Sequence, residues 1–319
     1  MTTVCPWHET VLENTTATAA TLLLSDAGNG GGELALALAE KFCGEGSGAA
    51  DLLITLPENN HISVAAIRHL ITFLSFAPVS RQRRVALVLQ AECMQAAAAN
   101  ALLKTLEEPH HDKVLLLWAS VNGQLPATVV SRCRMLMPAA PTKAAAATYT
   151  KTHGNVDLLA YCAHRPLATT HYPPNWQTEI ANYLQQGAEL DINAALPALT
   201  AGVEQQLATW QQQVLQYIEQ GAPLNPHCAE WEESKIIGGI NGLDGLLKWV
   251  SDGVRSTYAL APIFFPAHAA VLQQLTEGKK KKWLDFYRYL IQRRALQTHP
   301  LVKDLYMREI LYAYQRLCI

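Results

Sequence analysis

Apolar and polar positions follow two regimes along this 319-residue chain. In the first, apolar residues bunch into short runs: Thr21–Asp26 (TLLLSD), Arg84–Gln90 (RVALVLQ) and Lys113–Ser120 (KVLLLWAS). Runs of this length and density are those of strands buried on both faces. Between them lie segments of helical spacing and composition, Glu33–Phe42, Val64–Leu74 and the alanine- and leucine-rich stretch from Met94, which Pro109 stops. Such repeated alternation predicts a parallel sheet covered on both faces by helices.

After Pro138–Thr142 (PAAPT) the second regime begins, in which strand signals largely disappear and helical segments are separated by proline-containing joints such as HYPPNW and GAPLNP. The stretch LDGLLKWVSDGV puts Leu243, Leu246, Leu247, Val250 and Val254 on one stripe, and the alanine run Ala144–Ala147 reads as a helix start. The expected fold class is therefore α/β followed by all-α. It divides into an α/β domain over 1–138, a small helical domain over 139–174 and a helical bundle over 175–319.

Composition narrows the function classes. Hydrophobic residues make up 50% and charged residues 16%, with a formal net charge of −2. That balance excludes a protein that holds nucleic acid by a strong global field, so any such contact is local or shared with other subunits. The seven cysteines are scattered, without a C-x-x-C pair, as in a reduced intracellular protein. The N-terminus lacks the features of a signal peptide and no apolar stretch is long enough to span a bilayer. The expectation is a cytoplasmic protein with no membrane contact.

The turn Gly28-Asn29-Gly30-Gly31-Gly32 sits between a buried strand and a helix start, where a phosphate-binding loop would sit. A working loop ends in Lys, for the phosphate charge, and Ser or Thr, for magnesium, but Gly31 and Gly32 fill those positions and Glu33 adds negative charge. The second strand ends Leu89-Gln90-Ala91-Glu92, with Gln90 in the place of a metal-binding aspartate and Glu92 read as a first-turn residue. Two losses in the expected places point to a structural turn, no cofactor and a dead nucleotide site.

Residues 91–133 carry a more specific signal. Asn100–Pro109 (NALLKTLEEP), Leu125, Pro126, Thr128 and Ser131-Arg132-Cys133 follow one another in the order and spacing that resembles the clamp-loader subunits of bacterial DNA polymerase III. The glycine turn, ISVAAIRHLITFLSFAP and HPLVKDLYMREILYAYQRL resemble the same family more loosely. The resemblance implies an AAA+-type sheet domain, a helical lid and a C-terminal collar. The dead nucleotide site separates this chain from the hydrolysing gamma or tau type, and the SRC motif from the delta type, which leaves the delta-prime type. In that family Arg132 would reach in trans into the ATP site of a neighbouring subunit, with Ser131 and Cys133 orienting its turn. The implied partners are gamma or tau and delta subunits in a hetero-oligomer, with the beta sliding clamp and primer-template DNA met through the complex. Two rivals stand beside this reading: an autonomous nucleotide hydrolase with an atypical loop, and a purely structural scaffold in which Arg132 is a strut.

Many members of the family carry a four-cysteine zinc module after the first helix, but here Cys43 has no companions and one thiol cannot build a tetrahedral site, so no metal is expected. His61 and His69 read as ordinary polar residues. Two basic clusters, Arg81 to Arg84 and Lys279 to Lys282, read as solvated turns or as contacts to a DNA backbone. The C-terminal residues Leu301, Leu305, Tyr306, Ile310, Leu311, Tyr312, Tyr314 and Leu317 exceed what one exposed helix needs, and the resemblance implies both bundle core and collar contact.

Overall fold

The computed structural model describes residues 4–44, 49–57, 61–79, 82–107, 112–120, 125–154, 158–159, 162, 164–171, 176–200, 242–294 and 303–319. Arg81, Cys228, Leu301 and the joint GAPLNP lie outside the described residues, as do the side chain of Leu305 and the centre of HYPPNW. The described residues form two compact units. The first holds those up to Tyr149 together with Arg165–Ala168, and the second holds the remainder.

The first unit opens with the short helix α1 (Glu9–Asn14) and then alternates strand and helix. Its elements are β1 (Ala20–Leu24), α2 (Gly31–Cys43), β2 (Leu52–Thr55), α3 (Val64–Ser75), β3 (Arg84–Val88), α4 (Ala96–Glu107), β4 (Lys113–Ala119), α5 (Ala127–Val130) and β5 (Arg134–Leu136), while α6 (Lys143–His153) begins in this unit and ends in the second. The strands make one sheet in the order β2-β3-β4-β1-β5, and every pairing is parallel. Alternate side chains serve two cores, as the pleat dictates. Leu22, Leu53, Ala86, Val88, Leu115 and Leu117 pack with the apolar faces of α3 and α4. Leu23, Ile54, Val85, Leu87, Leu116 and Trp118 pack with α2. The doubly covered parallel sheet expected from the apolar runs is the one observed. Each buried leucine of this sheet contributes roughly 1.5–3 kcal/mol of transfer free energy, which is why the strands tolerate so few polar residues.

Two strands had no visible signal. β2 is an apolar run of only four residues, and β5 is a three-residue edge strand with Met135 half exposed. Neither is long enough to show a period. The helices are better marked, and α3 starts where Ser63 Oγ accepts the Ala66 N–H at 3.1 Å.

The second unit is helical among its described residues: α7 (Trp176–Leu184), α8 (Ile192–Thr200), α9 (Gly242–Ser256), α10 (Ala269–Thr276), α11 (Lys280–Arg294) and α12 (Lys303–Cys318). The stripe expected on α9 is buried at Leu243, Leu246, Leu247 and Val250, and half-buried at Val254. Inside the unit, Trp249 Nε1 donates to Tyr314 Oη at 2.9 Å, and that hydroxyl donates to Leu184 O at 2.7 Å, so α9, α12 and α7 share one buried polar chain. Asp252, fully buried, accepts the amide N–H groups of Ile263, Phe264 and Phe265 at 2.8, 2.7 and 2.7 Å and fixes the loop that follows α9. On α12, Ile310, Leu311, Tyr314 and Leu317 face inward while Tyr312 is half exposed. No helix among the described residues is long and apolar enough to cross a membrane.

Candidate functional site

The chemistry-bearing residues gather at the ends of β1, β3 and β4 and on the turn after α5. From β1 the chain passes Ser25 and Asp26, makes a short 3-10 turn at Ala27–Asn29, and enters α2 through Gly30. Gly30 has φ +87°, a left-handed conformation that disfavours a side chain, and a Cβ there would stand 2.6 Å from Cys5 Sγ. At Gly31 a Cβ would meet Ser25 O at 2.6 Å and Trp118 Nε1 at 2.7 Å, because that indole donates to the same carbonyl. These glycines are needed for the chain's own close packing.

What packs on the turn is the N-terminal segment. Trp7 Nε1 donates to Asn29 O at 2.9 Å, Cys5 sits against Gly30, and the His8 ring is buried beside it. Gly28, Gly30, Gly31 and Gly32 are all buried, Gly28 against Arg165 and Ala168, where a Cβ would lie 2.9 and 3.0 Å from their Cβ atoms. The surroundings are also wrong for phosphate. Burial pushes the His8 imidazole down to about 4, so it is neutral. Burial and then the Glu33 carboxylate push the Cys5 thiol up to about 12. Glu33 itself is almost fully buried in the first turn of α2. A phosphate group at Gly30 would meet a neutral imidazole and a protonated thiol, and would have to displace those side chains.

At the neighbouring strand ends, Gln90 takes a left-handed φ of +54° and leads into a 3-10 turn, Ala91–Cys93. Glu92 lies in the first turn of that short helix, as expected, and Glu92 Oε1 accepts the Ser120 N–H at 3.2 Å. Ser120 Oγ donates to Asp26 Oδ1 at 3.0 Å, so the ends of β1, β3 and β4 are tied through one serine. Burial raises the Glu92 carboxyl above its ordinary range, opposed by its amide hydrogen bonds and reinforced by Asp26.

The Ser-Arg-Cys tripeptide forms the turn between α5 and the edge strand β5, where the N–H groups of Ser131, Arg132 and Cys133 donate to Ala127 O, Val129 O and Val130 O. Ser131 Oγ donates to Thr128 O at 3.2 Å, and Cys133 packs into the core beneath α3 and α4, where burial pushes its thiol up to about 11. Arg132 points outward. Its Nε and Nη2 both reach Glu107 Oε1, at 2.7 and 2.6 Å, and Nη1 donates to Thr128 O at 3.0 Å. The pair is surface-exposed, at 33% for the arginine side chain and 53% for the glutamate, and such pairs contribute less than about 1 kcal/mol. The guanidinium is oriented but easily released.

The first basic cluster does not behave as one patch. Arg84 opens β3 and is buried: Nε lies 3.4 Å from Asp51 Oδ1, Nη1 donates to Phe73 O at 3.1 Å, and the guanidinium sits 4.5 Å from the Phe73 ring centroid. It is neither a solvated turn residue nor a nucleic-acid contact. Arg83 is exposed. Cys43 is buried, with its thiol directed at Asp51 O and pushed up to about 12 by burial and then by Asp51 and Glu40. A thiol held protonated in this way is a poor metal ligand. The covering residues Cys5, Trp7 and His8 carry no motif, and their only sequence signal is an aromatic pair set behind Pro6.

Residues 3–140 match the protein family described as DNA polymerase III, delta subunit. A DNA polymerase III subunit delta' from Pseudomonas aeruginosa is 40% identical over 100 residues, 31% of this chain and 30% of that protein. The subunit delta' from Haemophilus influenzae is 39% identical over 90 residues, 26% of this chain and 28% of that protein. The matched stretch thus spans less than a third of either relative's own length. A DNA polymerase III gamma subunit-related protein from Thermotoga maritima aligns over 97% of this chain and 98% of its own at 18% identity, with a TM-score of 0.42. These comparisons bear out the resemblance expected from residues 91–133: part of the chain is similar to the delta-prime-type subunits of DNA polymerase III.

Proposed function

We propose that this relative of the delta-prime-type subunits works inside a sliding-clamp loader as a member that binds no nucleotide productively and offers Arg132 to the ATP site of its neighbour. The observation that carries the first half is the burial of Gly28, Gly30, Gly31 and Gly32, with Cys5 and His8 against Gly30, Trp118 against Gly31, and Arg165 and Ala168 against Gly28. A turn filled by its own chain and lacking the lysine and hydroxyl cannot supply the electrostatic positioning that phosphoryl transfer needs. This also weighs against an autonomous hydrolase.

The second half rests on the exposed, outward guanidinium of Arg132, whose planar fork stays charged and fits phosphate. Exchange of the Glu107 carboxylate for a neighbour's γ-phosphate replaces one anion by a more highly charged one, at little cost because the present pair is exposed. In the scaffold reading the Glu107 pair is the resting place of Arg132 for good, and the arginine only stiffens the turn.

In this proposal the gamma or tau and delta subunits are direct partners, and the beta clamp and primer-template DNA are met through the complex. The chain divides by task into a sheet domain over 1–138, a lid over 139–174 and a collar over 175–319, with half-exposed Tyr312 on the collar's outward side. The test is clamp- and DNA-stimulated ATP turnover by a loader reconstituted with the cognate subunits. Native chain is compared with Arg132→Ala, and assembly is monitored separately by size-exclusion chromatography. Lost turnover with assembly intact supports the trans role. Unchanged turnover leaves the scaffold reading.

A further inference from the structure

The second basic cluster differs from the first in being a real surface feature. Lys279 is used internally, its ammonium donating to Cys318 O, but Lys280, Lys281 and Lys282 are exposed in the first turn of α11. That turn carries no acidic residue. Cations at the positive end of a helix dipole are disfavoured by it, and an anion bound there relieves the arrangement. Among the described residues none of the three is in an ion pair. The nearby carboxylates are Glu277, on the same cleft as Lys280, and Asp285, which is paired with Arg288 at 3.7 Å.

Beside the lysines stands an aromatic ring. Lys280 Nζ lies 3.6 Å from the centroid of Tyr258, and that residue is still 49% exposed. Leu260 and Ile263, 52% and 43% exposed, follow on the same loop, which Asp252 holds rigidly through the amides of Ile263 to Phe265. A polar cleft of about 460 Å³, lined by Ser256, Thr257, Gln273, Gln274 and Lys280 among others, adjoins them. Exposed cations for phosphates, an exposed ring and aliphatic side chains for a base, and hydroxyl and amide groups in between are the chemistry of a surface that takes a single nucleic-acid strand. A duplex, whose bases are stacked away, would use the lysines and leave Tyr258 idle.

We propose that Lys280, Lys281, Lys282 and Tyr258 form a contact site for single-stranded DNA, the lysines meeting consecutive phosphates and the tyrosine a base. The choice of DNA over RNA rests on the clamp-loader reading. The site itself does not depend on Arg132.

The test uses the full chain and a fluorescein-labelled oligothymidylate of twenty nucleotides, with anisotropy followed across a salt series. The triple variant Lys280→Ala/Lys281→Ala/Lys282→Ala is expected to bind at least tenfold more weakly at low salt. It should also flatten the slope of log K against log salt by about 2, since each phosphate contact on a single strand contributes about 0.7. Tyr258→Ala should weaken binding about fivefold or more with the slope unchanged. A control, Lys143→Ala/Lys151→Ala, should bind as the native chain does, and thermal melts confirm that all variants fold. Absence of binding by the native chain, a Tyr258→Ala variant that binds normally, or preference for a duplex of the same length would each overturn the proposal. Loader assembly and ATP turnover of the same variants are read separately, so loss of the DNA contact with normal turnover, or the reverse, tells the two readings apart.

Discussion

Arg132 and Glu107 stand 25 residues apart and meet at one oxygen, with Nε and Nη2 both on Glu107 Oε1 at 2.7 and 2.6 Å. Glu107 closes α4 and Arg132 follows α5, so this pair joins the segment that begins at Asn100 to the Ser131-Arg132-Cys133 turn. It also sets the direction in which the guanidinium leaves the surface.

For Arg132→Ala the expected outcome is a fall in turnover at the shared ATP site on the order of 10³, with the loader still assembled. Arg132→Lys should recover little of it, because a point charge on a flexible stem does not reproduce a bidentate fork. Single-turnover hydrolysis by reconstituted complexes measures both.

Glu107→Gln separates a finger from a strut. If the pair only stores the arginine, this variant loses less than about 1 kcal/mol in urea unfolding and the loader's turnover is kept or raised. A drop in turnover equal to that of Arg132→Ala would mean that the pair itself, as a rigid strut, is what the complex needs.

The sheet was legible wherever burial on both faces made a long apolar run, as at Lys113–Ala119, and illegible where the strand was as short as Leu52–Thr55 or Arg134–Leu136. The turn's missing lysine and hydroxyl could be read directly at Gly31 and Gly32, because a phosphate loop has fixed offsets. Its occlusion could not, since Cys5 and His8 reach Gly30, and Arg165 and Ala168 reach Gly28, only through tertiary packing. The same holds for Arg84: in sequence it adjoins Arg83 and looks solvated, but its partner Asp51 is 33 residues away and buried.

Gly30→Ala places a methyl group 2.6 Å from Cys5 Sγ and forces a side chain into φ +87°. The strain of the backbone alone costs about 1–3 kcal/mol, and the overlap adds to it. Urea unfolding followed by Trp fluorescence should show a lowered midpoint. Gly30→Ala/Cys5→Gly should recover the part due to overlap and leave the part due to φ.

Asp51→Ala leaves the Arg84 guanidinium buried without its carboxylate and also removes the acceptor of the Val79 N–H, which Asp51 Oδ1 takes at 2.8 Å. The expected cost is about 3–5 kcal/mol. A loss below about 1 kcal/mol would mean that Arg84 finds water, contrary to its 7% exposure.

His8 gives the N-terminal covering of the glycine turn a pH signature. Its side chain is fully buried and its folded value, about 4, lies below the ordinary 6.5 because burial disfavours the imidazolium. As pH falls from neutrality the unfolded chain takes up the proton first, so this contribution to stability is whole above about 6.5, declines between 6.5 and 4, and is flat below. A shift of this size corresponds to roughly 3 kcal/mol at most. Carboxylates titrate in the lower part of the same window, so the measurement is a difference: unfolding free energy of the native chain minus that of His8→Phe, at pH 7.5 and at pH 4.5. The difference should shift in favour of the phenylalanine variant at the acid end, since only the native chain carries the group that must stay neutral to fold. Identical pH profiles would mean that His8 reaches water and that the turn is not sealed by the N-terminal segment.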